Sequence, residues 1–169
     1  MSEEKRVRAH LEFGETRVEF EGDADQVLES IMRFLSEAYP SIEVIRKVVY
    51  TPDLIGLMDN IAGLVEITSE GPMIAPGVDF SAKNAICLTL LGAFIGSKIG
   101  KLHKDSLSTK DLSKLTGKAK KTVRNEMPKL INDGLVERTA DGEYRITEIG
   151  IRRTQKIAEE AKEKQVISQ

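Results

Sequence analysis

The segment Leu107–Thr147 constrains the fold of this chain more than any other part of the sequence. Ser108, followed three residues later by Asp111, forms a capping-box pattern, which predicts the start of a helix because both side chains can satisfy free backbone N–H groups. Thr116-Gly117 predicts the end of that helix, since glycine adopts the positive φ that such a turn commonly needs. A second helix is predicted over residues 119–133. The segment therefore begins as two helices joined by a tight turn.

A β-hairpin is predicted directly after the second helix. Gly134 stands where that helix should end, and the short segment 135–139 supplies the first strand. Asp141-Gly142 favours a tight turn, and residues 143–147 supply the returning strand. Thr147 is placed to cap a last helix. The inward face of that helix is predicted to comprise Ile149, Ile157 and Ala161.

The second helix of the segment is predicted to have one apolar and one basic face. Its inward residues follow helical spacing and are Val123, Met127, Leu130 and Ile131. Its outward polar residues cluster near its start and are Lys118, Lys120, Lys121, Thr122, Arg124 and Asn125. Arginine and asparagine can form bidentate hydrogen bonds with guanine and adenine edges, whereas lysine suits phosphate as a flexible point charge. Binding of double-stranded DNA is therefore the leading hypothesis.

Two further groups complete the predicted DNA contacts. Ser108, Thr109 and Lys110 begin the first helix, and Arg138 and Arg145 flank the hairpin turn. Acidic side chains in the same hairpin weigh against it as a phosphate-binding surface, and they are Glu137, Asp141 and Glu143.

Basic charge is concentrated in the same part of the chain. Residues 1–100 contain 9 basic and 16 acidic side chains, a net charge of −7. Residues 101–156 contain 14 basic and 8 acidic side chains, a net charge of +6. The formal net charge of −2 for the whole chain therefore hides a basic segment of the kind that phosphate binding requires.

Residues 107–150 resemble the winged helix-turn-helix domains of MarR- and ArsR-type prokaryotic transcription regulators. The pieces that carry the resemblance are STKDLSKLTG, TVRNEMPKLINDGLVER and YRITEIG, and the resembling domain spans roughly residues 81–165. The resemblance implies a homodimer that reads a near-palindromic site, with the second helix in the major groove and the hairpin as its wing. The combination with residues 1–80 looks more like an archaeal protein.

The amino-terminal part of the sequence predicts a hairpin followed by a helix. Apolar and polar residues alternate over 7–13 and again over 16–20, on either side of Gly14-Glu15. A two-residue turn pairs Phe13 with Thr16, Leu11 with Val18 and Ala9 with Phe20, which places all six on one face. Asp23, with Gln26 three residues later, starts a helix. The apolar stripe expected to cover the hairpin is Val27, Ile31, Phe34, Leu35 and Ala38.

Residues 41–80 have a less regular pattern. Ile42, Ile45, Val48 and Val49 fit helical spacing, yet Val48 and Val49 fit the start of a strand equally well. Residues 51–61 predict a short helix, and residues 65–77 predict a small hairpin. The predicted fold class is α+β. Residues 1–80 form an amino-terminal β-hairpin and helix domain with a small second hairpin, and residues 81–169 form a winged helix-turn-helix domain with a carboxy-terminal helix.

Ser81–Gly100 predicts a buried core helix. The 14 residues from Asn84 to Ser97 carry no charge, but this run is shorter than the roughly 20 residues of a bilayer span, so no membrane contact is expected. Gly92, Gly96 and Gly100 share one face, where another backbone can approach closely. Two alternatives stay open for this face, namely close packing within the chain and a dimer contact between two copies.

The residue content argues against catalysis. Cys87 is the single cysteine and lies in an apolar run, and His10 and His103 are the two histidines. No metal cluster, phosphate loop or nucleophile–base pair can be assembled, so no enzyme activity, metal or cofactor is expected. The expected location is the cytoplasm.

The predicted function is sequence-specific binding of double-stranded DNA by a homodimeric transcription regulator. Its amino-terminal domain would supply dimer contacts or receive a ligand or a protein partner. The alternative is a winged-helix protein-interaction or scaffold module that does not bind DNA.

Overall fold

The computed structural model describes residues 6–38 and 50–167, which form helices and two-stranded antiparallel hairpins. The chain divides into two compact units, Met1–Pro52 and Asp53–Gln169. Both units contain helix and strand, so the protein is mixed α/β, which is compatible with the predicted α+β class. The boundary between the units lies after Pro52, whereas the sequence analysis placed the domain boundary after residue 80. Residues 53–80 pack within the second unit. The predictions for Ile42, Ile45, Val48 and Val49 lie outside the described residues.

The first unit contains β1 (Val7–Phe13), β2 (Thr16–Gly22) and α1 (Ala24–Ala38). The strands pair Phe13 with Thr16, Leu11 with Val18 and Ala9 with Phe20, which confirms the predicted register and two-residue turn.

The helix of the first unit begins and packs as predicted. The N–H of Gln26 donates to Asp23 Oδ1 at 2.8 Å, so Asp23 caps α1. Val27 is buried on the inner face of α1. The rings of Phe20 and Phe34 meet edge to face with their centroids 5.9 Å apart. The apolar stripe of α1 packs on the hairpin through Val27 and Phe34, whereas Ala38, which was expected to belong to the stripe, is exposed at the last position of the helix.

The second unit contains the short helix, the small hairpin and the helix–turn–helix–hairpin order that the sequence predicts. Its elements are α2 (Leu54–Ile61), β3 (Val65–Thr68), β4 (Gly71–Ile74), α3 (Ala82–Lys98), α4 (Thr109–Thr116), α5 (Lys120–Asn132), β5 (Val136–Arg138), β6 (Tyr144–Ile146) and α6 (Glu148–Ile167).

The core of the second unit is built around α3, as the apolar run predicts. Eleven residues of α3 are buried, and α3 contacts α2, β3, β4, α4, α5, β6 and α6. Its first turn is capped by Ser81, whose Oγ accepts from the Asn84 N–H at 3.3 Å. Within the described residues, no helix has both the length and the apolar character that crossing a membrane demands.

The glycine-rich face of α3 is covered by the chain itself. A Cβ on Gly92 would lie 2.6 Å from Cβ of Pro72, and a Cβ on Gly96 would lie 2.6 Å from Cδ1 of Leu102. Both glycines are buried, and this rules them out as a dimer contact; the intrachain alternative is correct. Gly100 is exposed and ends the helix at φ 76°, so it serves the turn that follows α3.

The two helices α4 and α5 are joined by the predicted glycine turn. Ser108 and Asp111 form a full capping box at the start of α4, and Gly117 ends α4 at φ 69°. The inward residues of α5 are Val123, Met127 and Leu130. Ile131 was expected to join them but is 40% exposed, because α5 is rotated so that its neighbour Leu130, which is fully buried, faces the core.

The strands of the hairpin β5–β6 pair with each other, and β6 is also bridged to the segment that precedes α4. The hairpin pairs Val136 with Ile146 and Arg138 with Tyr144. Leu107, just before α4, adds a bridge to Tyr144 on the outer side of β6, with N–H to O distances of 2.9 Å in both directions. A three-stranded arrangement therefore connects the start of α4 to the hairpin.

Thr147 caps α6 as predicted, since its Oγ1 accepts from the Gly150 N–H at 3.0 Å. Ile157 and Ala161 pack against the core, whereas Ile149 is 63% exposed and was wrongly assigned to the inner face. Gly150 and Ile151 are buried instead. Gly150 lies so close to the Leu135 carbonyl that a Cβ would stand 2.0 Å from its oxygen, and this contact fixes the rotation of the helix.

Candidate nucleic-acid interface

The first two turns of α5 present a continuous polar surface. Lys120, Lys121, Thr122, Arg124 and Asn125 are all exposed. Val123 and Met127 point into the core from the same part of the helix, so the residues between them are turned outwards. We call Lys120, Lys121, Thr122, Arg124 and Asn125 the basic turn. The structure thus brings five of the predicted DNA contacts onto one surface.

The cations of the basic turn are not neutralised by any neighbour in the part of the chain that the structure describes. Among residues 6–38 and 50–167, no carboxylate lies within 4.0 Å of Lys120, Lys121 or Arg124 in an ion pair. Several lysines around them are paired, and the pairs are Lys83 with Asp133, Lys104 with Glu143, Lys114 with Glu70, Lys118 with Asp79 and Lys129 with Glu126. Unpaired positive charge in this region therefore concentrates at the start of α5.

The amino terminus of α5 also lacks a side-chain cap. Its N-cap residue is Ala119, which makes no capping hydrogen bond. The other helices of the described residues are capped by side chains, namely Asp23, Asp53, Ser81, Ser108 and Thr147. The N–H groups of the first turn of α5 are therefore left without a side-chain acceptor, at the positive end of the helix dipole.

The predicted contacts at the start of α4 have different surroundings. The Ser108 hydroxyl donates to Asp111 Oδ2 at 2.6 Å and accepts from the Asp111 N–H at 3.1 Å. Ser108 is thus committed to the capping box and is not free to bind a phosphate. Thr109 is half-buried, whereas Lys110 is exposed and, among the described residues, has no carboxylate partner.

Lys118 differs from the lysines of the basic turn. Its ammonium lies 3.1 Å from Oδ1 of Asp79, and its side chain is only 26% exposed. The positive charge of Lys118 is therefore paired within the chain, and its contact with phosphate stays a prediction.

Most charged side chains of the hairpin β5–β6 are paired with an opposite charge. Arg145 is paired with Glu137, and this hydrogen bond raises the pKa of Arg145. Hydrogen bonds from Lys104 and Ser106 hold the pKa of Glu143 below its ordinary value. Arg138 is exposed, with its guanidinium beside Gly142, and no ion pair joins it to a described carboxylate. Arg138 is therefore the hairpin cation left available to a ligand.

The described residues contain no cluster of metal-ligand side chains. No three side chains of histidine, cysteine, aspartate or glutamate in these ranges lie close enough to hold a metal ion. Cys87 is fully buried in α3, and burial raises the pKa of its thiol to about 11. The thiol is thus an inert part of the core.

Two features of this interface escaped the sequence analysis. Ala119 could have been recognised, because alanine is a poor N-cap residue. The ion pairs of Lys114 with Glu70 and Lys118 with Asp79 join residues 44 and 39 positions apart, which no local pattern reveals. Comparison with protein-family models, curated proteins and solved structures found no match to this chain.

Proposed function

We propose that this chain is a non-enzymatic, cytoplasmic transcription regulator that binds double-stranded DNA as a homodimer, with the basic turn of α5 as its main contact. The second unit would be a winged helix-turn-helix domain of the kind found in MarR- and ArsR-type regulators. Three features support that fold: the order α4, turn, α5, β5 and β6; the glycine between the helices; and the bridge from Leu107 to the hairpin.

One observation carries the proposal, namely that the basic turn combines uncompensated cations with an uncapped helix terminus. A phosphate at this position would accept from the free N–H groups of the first turn and meet Lys120 and Lys121. The paired lysines nearby have their charge satisfied within the chain. The proposed contact is therefore narrow and centred on α5.

Sequence specificity would come from Arg124 and Asn125. Both side chains are exposed one turn into α5. When such a helix enters the major groove, the residues near its start reach the base edges. Arg124 would bind guanine O6 and N7, and Asn125 would bind adenine N6 and N7. Arg138 would add a backbone or minor-groove contact from the hairpin.

The second candidate function is a protein-interaction module. Ile131 and Ile149 are 40% and 63% exposed, and Ile149 lies near Gly134 at the end of α5. Exposed apolar side chains suit a protein partner, and the paired charges of the hairpin do not favour nucleic acid.

The test is a binding titration of the full chain with random-sequence and genomic duplexes at 50 mM and 200 mM salt. If a dimer makes six phosphate contacts, affinity should fall by roughly a thousandfold between these salt concentrations. A subset of genomic duplexes should bind more tightly than random ones. No binding at 50 mM salt would contradict DNA binding and leave the interaction module as the better account.

A further inference from the structure

Within residues 6–38 and 50–167, the backbone groups on the outer edge of β1 have no strand partner. The turn at Gly14-Glu15 has two residues, so the flanking pair Phe13 and Thr16 exchanges hydrogen bonds, and every second pair does the same. The N–H and C=O groups of Arg8, His10 and Glu12 therefore point away from β2. Within the described residues, the sheet has two strands and nothing pairs with this edge.

The side chains along this edge are also accessible. The exposed fractions of the Arg8, His10 and Glu12 side chains are 58%, 69% and 60%. On the opposite face, Ala9 and Leu11 are only half-buried, although α1 covers the hairpin. A two-stranded sheet with an open edge and an incompletely buried face is a template for a further strand.

The charge pattern of β1 fits a second copy of the same strand. In an antiparallel pair related by a two-fold axis, the register that pairs all seven residues of Val7–Phe13 is centred on His10. It sets Arg8 opposite Glu12 of the second copy, and this pair occurs twice. At the centre of this register, His10 faces His10 of the second copy. Outward-pointing backbone groups meet at all three positions and form six hydrogen bonds.

The same register extends an ion-pair ladder that each hairpin already contains. Arg8 lies 3.1 Å from Glu21, and Glu12 lies 3.0 Å from Arg17 across the strands of one chain. In the paired sheet, a row would therefore read Glu21, Arg8, then Glu12 and Arg17 of the second copy. Charges alternate along the whole row, and opposite charges directly across strands stabilise a sheet.

The outer edge of β2 fits a second copy less well. Full-length pairing of Thr16–Gly22 with itself sets Arg17 opposite Glu21 twice, but it is centred on Glu19, so two glutamates would face each other. Like charges at directly opposed positions destabilise an antiparallel pair. The two edges of one hairpin thus differ at the central position, where β2 would oppose two glutamates and β1 would not, and this favours β1.

We propose that β1 pairs antiparallel with β1 of a second copy about an axis at His10, which gives a four-stranded sheet with both α1 helices on its apolar face. This inference rests on the homodimer of the proposed function and names its surface. It does not depend on DNA binding.

The test is the self-association of the full chain by analytical ultracentrifugation, with proline placed on one edge at a time. His10→Pro removes an outward N–H from β1, and Glu19→Pro removes the equivalent group from β2. Neither N–H is used within the hairpin, so circular dichroism should be unchanged in both variants. The wild-type chain and Glu19→Pro should form dimers, twice the 18.7 kDa of one chain. His10→Pro loses two hydrogen bonds per dimer, and its dissociation constant should rise roughly 30-fold.

A mixing experiment avoids any effect of proline on folding. Arg8→Glu alone would set glutamate against Glu12 of its copy, and Glu12→Arg alone would set arginine against Arg8. Each variant should dimerise weakly by itself, and an equimolar mixture should form a heterodimer on the order of tenfold more tightly than either homodimer.

Specific results would overturn the inference. If His10→Pro dimerises as tightly as the wild-type chain, the β1 interface is wrong. The same follows if the mixture of Arg8→Glu and Glu12→Arg dimerises no more tightly than either variant alone. In both cases the homodimer itself would still stand. A wild-type chain that is monomeric at micromolar concentration would contradict both the β1 interface and the homodimer. DNA binding is measured in the separate titration, so its failure is distinguishable from either outcome.

Discussion

Ala119 occupies the position at which every other helix of the described residues has a capping side chain. Alanine at an N-cap leaves the first-turn N–H groups unsatisfied and lowers helix stability. A bound phosphate would take the place of the missing cap by accepting hydrogen bonds from these N–H groups. The residue most informative about function is therefore one that carries no functional group.

We expect Ala119→Asp and Ala119→Asn to separate stability from binding. Both side chains cap α5, so each should raise the free energy of unfolding by about 0.5–2 kcal/mol in urea denaturation. Aspartate also places a negative charge where the phosphate would lie, whereas asparagine of the same shape does not. DNA affinity should fall more for Ala119→Asp than for Ala119→Asn. Equal affinity of the two variants would show that no phosphate approaches this terminus.

Arg124→Ala should change which DNA sequence is preferred. Loss of a bidentate contact removes about 1–3 kcal/mol of discrimination against the wrong base. Selection of binding sites from a random duplex pool should therefore show relaxed preference at one position of each half-site, with the other positions retained. A selected sequence identical to that of the wild-type chain would exclude Arg124 from base recognition.

At the scale of elements, local signals predicted most of the fold. The β1–β2 register followed from the agreement of a two-residue turn with apolar alternation, and α4 followed from the capping box of Ser108 and Asp111. The exposure of Ile131 and Ile149 did not follow, because helical spacing allows several rotations and packing selects one. For α6, the contact of Gly150 with the Leu135 carbonyl selects the rotation.

The residues that contact the glycine face of α3 could not be predicted from local sequence either. Spacing of four residues predicted a close contact at Gly92, but it left open whether the contact lay within or between chains. Pro72 and Val65 of the small hairpin supply the contact. These residues lie 20 or more positions away, and the sequence analysis had assigned them to a different domain.

The sign of the effect of Gly92→Ala tests this packing. Replacing an exposed helical glycine by alanine ordinarily raises the free energy of unfolding by about 1 kcal/mol. At Gly92, the new Cβ would stand 2.6 Å from Pro72 Cβ and 3.0 Å from Val65 Cγ1. Overpacking of this kind lowers the free energy of unfolding by about 1–3 kcal/mol. A stabilised variant in urea denaturation would mean that the small hairpin does not rest on this face.

At the scale of the whole molecule, the distribution of paired charge matters more than its total. The basic segment 101–156 has a net charge of +6, yet Lys114 and Lys118 are compensated by Glu70 and Asp79 from elsewhere in the second unit. The sequence predicted contacts at the start of α4, at the start of α5 and on the hairpin. Among the described residues, the predicted contacts whose cations have no carboxylate partner are those of the basic turn, Lys110 and Arg138.

The most direct test of the central claim is the salt dependence of DNA affinity for the wild-type chain, Lys121→Ala and Lys129→Ala. Both lysines lie on α5, but Lys129 is at the far end of the helix and is paired with Glu126. In a plot of the logarithm of affinity against the logarithm of salt concentration, Lys121→Ala should make the slope shallower by about 0.9 for each chain in the complex. Lys129→Ala should leave it unchanged. Equal slopes for all three proteins, or no binding by the wild-type chain at low salt, would contradict DNA contact through the start of α5.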